Sequence, residues 1–152
     1  MSIHMGLSDS VKVVQVVPAK NVSNVAANGT TIDLGQNSTR EGWMGARFVF
    51  NIGVLGTNGT FYASVYQSNA SAGTYTLCSD VDSNVNASLV QVVNSNTVQV
   101  IDVYRPKNRY LRVVVQGQTN GSLASVTCDL YRANGTLPPT QVAEQYVKVR
   151  EL

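Results

Sequence analysis

VIDVYRPKNRYLRVVVQG, residues 100–117, sets two runs of valine, isoleucine and tyrosine on either side of a short basic break, RPKNR. Read as a β-hairpin, it has one register that makes chemical sense. With 105–109 as the loop, Tyr104 faces Tyr110, Asp102 faces Arg112 and Val100 faces Val114, while Val103 meets Leu111 and Ile101 meets Val113 on the other face. Cross-strand pairs are the unit in which a sheet is stabilised, and each of these is favourable. A loop one residue shorter would set Tyr104 against Arg109 and Asp102 against Leu111, because a slip of one residue exchanges the two faces. The longer loop predicts Pro106 at the second position of a type I turn beginning at Arg105, with Asn108 in the left-handed region to close it. It concentrates the remaining charge at the tip, in Arg105, Lys107 and Arg109.

Outward from this stretch, alternation of apolar and polar residues is the dominant pattern. In ARFVFNIGV it places Ala46, Phe48, Phe50, Ile52 and Val54 on one face, and in SLASVTCDLY it places Ala124, Val126, Cys128 and Leu130 on one face, as half-buried strands require. Cys128 is thereby read as a core residue. Further strands are expected near 12–17, 29–34, 60–67, 73–78, 88–93, 97–104, 110–116 and 144–149, and no segment has the period of a long amphipathic helix. Asn-Gly pairs begin at Asn28, Asn58, Asn120 and Asn134, and Asn-Gly is a strong hairpin signal because both residues accept positive φ. Hairpins are expected above all around Asn58 and Asn120. Short strands, frequent turns and β-branched enrichment predict an all-β chain, an antiparallel β-sandwich of jelly-roll or Greek-key kind. Its domain would span 12–134, with an N-terminal arm over 1–11 and a C-terminal tail over 135–152. Pro138 and Pro139 interrupt any ladder in that tail and leave QYVKVREL as a candidate edge strand.

Composition narrows the function classes. The chain has 152 residues, enough for one domain with a real core, and a formal charge of only +2. That balance is too small to announce a nucleic-acid binder. Charged residues make up 13% of the chain, so amides and hydroxyls must supply most of the polar surface, as in a protein packed against others. The N-terminus lacks the pattern of a secretory signal and no run would span a bilayer, which predicts a protein made in a cytoplasm and no membrane partner.

Chemistry is sparse. Cys78 and Cys128 are too few for a disulfide framework or a zinc site; a Cys78–Cys128 bridge and two buried thiols both stay open, the thiols being the plainer reading. The lone histidine, His4, falls in the arm, so no catalytic pairing with Ser or Cys can be drawn, and Asp33, Glu41, Asp80, Asp82, Asp102 and Asp129 are scattered. DVDSNVNAS, 80–88, alternates Asp80, Asp82, Asn84 and Asn86 like the start of a calcium loop, but the glycine and glutamate of an EF-hand are replaced by Val85 and Gln91. N-x-S/T sequons begin at Asn21, Asn28, Asn37, Asn58, Asn69, Asn86, Asn120 and Asn134; in Asn/Ser/Thr-rich loops they arise by chance. No enzyme, no cofactor and no metal site is expected. The basic tip is read first as a solvated or edge-protecting turn, next as a protein contact, and last as a grip on nucleic acid. Trp43, in EGWMG, is read as an aromatic capping the end of the sandwich, with a glycan contact as the alternative.

From about 46 to 133 the chain resembles short structural proteins of tailed bacteriophages that decorate or cement the outside of the capsid. The resemblance rests on ARFVFNIG, a T-Y-T-L strand, and above all Y-R-P-x-x-R-Y-L-R at 104–112, followed by a last hairpin. It implies a jelly-roll sandwich, a homo-oligomer, often a trimer, and a partner in the major capsid protein, with no activity as an enzyme. The location implied is the virion, at the capsid surface, after synthesis in the host cytoplasm. The sequon-rich surface leaves room for a head fibre or spike that binds a carbohydrate or receptor instead.

Overall fold

The computed structural model describes residues 11–22, 25–35, 43–80, 85–118, 122–131 and 145–150. These form β1 (Val11–Val22), β2 (Ala27–Asn28), β3 (Ile32–Asp33), β4 (Gly45–Leu55), β5 (Thr60–Ser68), β6 (Thr76–Leu77), β7 (Ser88–Val92), β8 (Thr97–Tyr104), β9 (Tyr110–Gln118), β10 (Ser122–Tyr131) and β11 (Gln145–Arg150). There is no helix among them. Residues 1–10 of the arm expected over 1–11, the sequons at Asn37, Asn120 and Asn134, residues 81–84 of the calcium-like stretch and the Pro138–Pro139 pair lie outside the described residues, while Val11 already begins β1.

Two sheets pack face to face. One runs β1-β10-β4-β8-β11; in the other β9 is flanked by β2 and β3 on one side and β5 on the other, and β5 carries β6 and β7 on its far edge. The expected strand at 29–34 is thus two short pieces laid end to end along β9, and the one at 73–78 is only Thr76–Leu77. β6 and β7 also lie in line along β5, with Val65 bonded to both Cys78 and Ala87 where the chain leaves and rejoins the sheet. The calcium-like stretch sits in that excursion, closed by a bridge between Ser79 and Asn86. With β2 and β3 as one strand, β6 and β7 as another, and β11 set aside as an edge strand added parallel to β8, the antiparallel sheets read 1-8-3-6 and 2-7-4-5. That is the order of a jelly roll, a long hairpin rolled up so that its two arms stay paired. The antiparallel sandwich is as expected.

The core is the interdigitated inner faces. Phe48, Phe50, Ile101, Val126 and Cys128 come from one sheet and Phe61, Val65, Leu111 and Val113 from the other, all buried. Phe50 and Phe61 meet across the gap edge to face, with centroids 6.3 Å apart. The alternation in ARFVFNIGV holds from Ala46 to Ile52 and then breaks. Between Ile52, opposite Ala124, and Leu55, opposite Ser122, β4 carries one residue more than β10, so Val54 faces solvent and Leu55 takes the buried place. Cys78 and Cys128 are buried and both remain thiols.

The hairpins are the part that changes. β4 and β5 lie in different sheets, as do β8 and β9, and β9 and β10. Asn58 does sit at positive φ in a tight turn, closed by the Gly59 amide on the Gly56 carbonyl at 2.6 Å, but that turn is a corner from one sheet to the other. Asn28-Gly29 is not a turn between paired strands either: the Gly29 amide bonds to Val113 and the chain runs on along β9. A Cβ on Gly29 would come within 2.6 Å of both Val16 and Val113, so this glycine is there for close approach between the sheets.

Candidate functional site: the charged end of the sandwich

The register decides which connections share an end. Tyr104 lies opposite Gly45 and Gly45 opposite Tyr131, so the β3–β4 and β8–β9 connections and the C-terminus of β10 crowd together, with Ser68, opposite Tyr110, bringing the start of the β5–β6 connection alongside. Trp43 and the RPKNR corner, far apart in sequence, meet at this end.

The predicted hairpin register across this corner is therefore wrong in every pair. Tyr104 does not face Tyr110. Asp102 lies opposite Arg47 on β4, and Arg112 lies opposite Tyr66 on β5. Asp102 is buried on β8 and accepts a hydrogen bond from the Tyr131 hydroxyl. Gly45 makes room for that ring: a Cβ there would run into Tyr131. Arg47 Nε lies 3.8 Å from Asp129 Oδ2 on the same outer face. Burial, and then the nearby Asp129 and Asp102 charges, push the Cys128 thiol well up, which makes it an inert core residue.

The corner itself is pinned from several sides. The Arg105 amide donates to the Met44 carbonyl at 2.7 Å, the Leu34 amide to the Arg109 carbonyl at 3.0 Å and the Asn108 amide to Gln67 Oε1 at 3.1 Å. The residue in the left-handed region is Arg105, at φ 51°, and not Asn108. A steric cost of about 1–2 kcal/mol, from Cβ crowding the following carbonyl oxygen, attaches to a non-glycine there, and the conformation is held because Pro106 is buried and the Arg105 amide is bonded to Met44.

Side chains complete the grip. Arg109 Nε and Nη2 donate to the two carboxylate oxygens of Asp33 at 2.7 and 2.8 Å, a bidentate pair. Asp33 Oδ1 also accepts the Gly35 amide at 2.8 Å, and Gly35, at φ 63°, is free of the Cβ that would strain this turn. The Arg109 bond holds the Asp33 carboxyl below its usual value, outweighing partial burial, with the Gly35 amide helping. The Arg112 guanidinium carbon sits over the Tyr75 ring, 3.9 Å from its centroid, and the group donates to Thr31 and the Ser71 carbonyl. Arg105 stacks beside Tyr104 and its Nε is shielded without an acceptor. Of the three residues expected at the tip, Arg109 is spent on Asp33, Arg105 is half-buried and Lys107 is exposed. Trp43 is half-buried against the core, its amide donating to the Leu34 carbonyl at 2.8 Å. Tyr75 was not singled out from sequence and Asp33 was named only among scattered carboxylates; only the fold brings them to the arginines.

No family model matches the chain, and no curated protein matches it in sequence. In structure it is similar to part of a chain in the infectious bursal disease virus Gx strain, with 12% identity over 82% of this chain and 32% of that one, at a TM-score of 0.38. For the Gt strain of that virus the figures are 10% identity, 84% and 33% coverage, and a TM-score of 0.33. The chain spans about a third of the length of those chains. At such scores the likeness carries no argument, and the assignment of the fold rests on strand order.

Proposed function

We propose that the chain is a non-enzymatic structural subunit of a virion, decorating the outer surface of a phage capsid and stabilising contacts between major capsid subunits. Jelly rolls serve in capsids, lectins and other proteins, so the fold alone does not choose among them. The observation that carries the reading is the pinned corner at 104–112, the same segment on which the resemblance to decoration proteins rests. A corner tied to Met44, Leu34, Gln67 and Asp33 presents its charge without ordering on contact, so little conformational entropy opposes docking. Such a rigid end fits a regular protein lattice. The carbohydrate-binding alternative needs Trp43 as an open platform, and its packing against the core does not favour that role.

Co-sedimentation with expanded capsids and with free major capsid subunits tests the reading. Binding is expected to the assembled capsid only. Arg105→Glu with Lys107→Glu is expected to weaken it by about tenfold and to flatten its salt dependence, with the circular dichroism of the folded chain retained at the temperature of the assay. Equal affinity for free subunits, or capsid binding unchanged in the double variant, overturns it.

A further inference from the structure

The opposite end of the sandwich has a different character. Val22 lies opposite Ser122 and Ser122 opposite Leu55; Thr97 lies opposite Ile52; Thr60 lies opposite Gln118. The β4–β5 and β7–β8 connections therefore share one end with the C-termini of β1 and β9 and the N-terminus of β10. In sequence, the segments 21–32, 48–79, 83–101 and 113–128 that reach this end contain no Asp, Glu, Lys, Arg or His. The nearest charge on β1 is Lys20, opposite Ala124.

This neutral end also carries the exposed apolar side chains. Among the described residues the large apolar side chains exposed here are Val25 (76%), Val54 (64%), Val93 (59%) and Val98 (44%), whereas only Val13 and Val85 are comparably exposed elsewhere. Their placement is built in. The extra residue in β4 turns Val54 outward, Asn96 at φ 57° reverses the chain after Val93, and the two corners are tied by the Asn96 amide on the Gly53 carbonyl (2.9 Å) and the Leu55 amide on Ser95 Oγ (3.0 Å). Between them lies an open cleft of about 430 Å³, lined by Leu55, Gly56, Asn58, Thr60, Val93 and Ser95.

We infer that this neutral end is the contact between copies of the chain, and that the occupant of its cleft region is a second copy. A closed symmetric assembly brings residues near the axis against their own copies. A charge in such a place would meet its like at close range, whereas a different partner can supply the opposite sign. Amides and hydroxyls both donate and accept, so Asn58, Thr60 and Ser95 can bond to another copy of the same surface. The centre of a protein interface is depleted of charge and enriched in apolar area, as here. The charged end, with Lys107 exposed and the Arg109–Asp33 pair at its surface, does not meet the condition on charge. The inference holds whether or not that end docks on a capsid, and it needs only a symmetry axis.

Light scattering and sedimentation velocity of the full chain across micromolar concentrations test it. The chain is expected to self-associate. Val93→Asp, and independently Asn58→Asp in the neighbouring turn, are expected to weaken association by at least about tenfold, the cost of an unpaired charge in an interface, with unchanged circular dichroism. Lys107→Glu at the far end is expected to leave it intact. An equimolar mixture of Val93→Asp and Val93→Lys is expected to associate more tightly than either alone. A chain that stays monomeric, an assembly that keeps its mass in both acidic variants, or one that Lys107→Glu dissolves equally, overturns the inference. Capsid co-sedimentation is a separate measurement, so failure of one proposal is not failure of the other.

Discussion

The two ends of this sandwich are built from the same rolled hairpin, yet one is held by ion pairs and stacked arginines and the other has no charge at all. At the charged end Arg109 grips Asp33, Arg112 covers Tyr75 and Tyr131 reaches Asp102, each pair drawn from different connections or strands. At the neutral end the corners are joined by backbone amides and one serine, and four valines are left in water. The lesson is that a chain with few charges can still be strongly polarised. The jelly roll sends alternate connections to opposite ends, so charge kept out of the connections of one parity leaves all of it on the opposite pole.

Substitutions can break or sharpen this contrast. Val113→Asp should have the largest effect, because it buries an unpaired charge in the core that both ends share; loss of the cooperative β signal in circular dichroism is expected, a cost above about 4 kcal/mol. A folded Val113→Asp would mean that the ends do not depend on a common core. Gly45→Val comes next. Its side chain has to displace Tyr131, and overpacking of this kind costs about 1–3 kcal/mol, readable as a lower melting temperature. Val54→Ala, in the exposed bulge of the neutral end, should stay within about 0.5 kcal/mol in the same melt. If it were as costly as Gly45→Val, the neutral end would be part of the packed interior after all.

The smallest effect separates the ends by pH. The Asp33 carboxyl titrates lower in the folded chain than in the unfolded one, so the stability it contributes is present above the unfolded value of 3.8 and is lost as pH falls through the lowered folded value. The pair is exposed, so salt should reduce the contribution further. Asp33→Asn should lower the melting temperature slightly at neutral pH and low salt, with the difference from the parent chain vanishing in acid. Thiol titration provides a control on the core between the ends: Cys78 and Cys128 should react only after denaturation, since both are buried.

The predicted strands fell close to their observed places, because burial on one face leaves an alternation that any half-buried strand must show. Ala46 to Ile52, and Ala124 to Leu130, could be assigned to the core without coordinates. Val54 could not, since a bulge is set by pairing with β10 and leaves no mark in the alternation before it. The Asn-Gly pairs signalled turns correctly at Asn58 and misled about what the turn joins, because positive φ reverses the chain equally well within one sheet or between two.

The candidate site shows the same limit at closer range. Y-R-P-x-x-R-Y-L-R was visible as the most particular segment, and Arg105, Lys107 and Arg109 could be named. Their partners could not: Asp33 lies 76 residues from Arg109, and Tyr75 came into view only when the β5–β6 connection folded beside β9. The hairpin register had looked persuasive because each run in 100–117 is a sound strand with sensible faces.

The sequence by itself determined which residues are strands, which of their faces are apolar and where the chain must turn, for these follow from side-chain period and local φ. Only the tertiary structure decided which strands pair. In a rolled sandwich most partners are distant in sequence, and whether Tyr104 and Tyr110 face each other in one hairpin, or end one strand and begin the next in different sheets, depends on how the apolar faces of the entire chain are buried together.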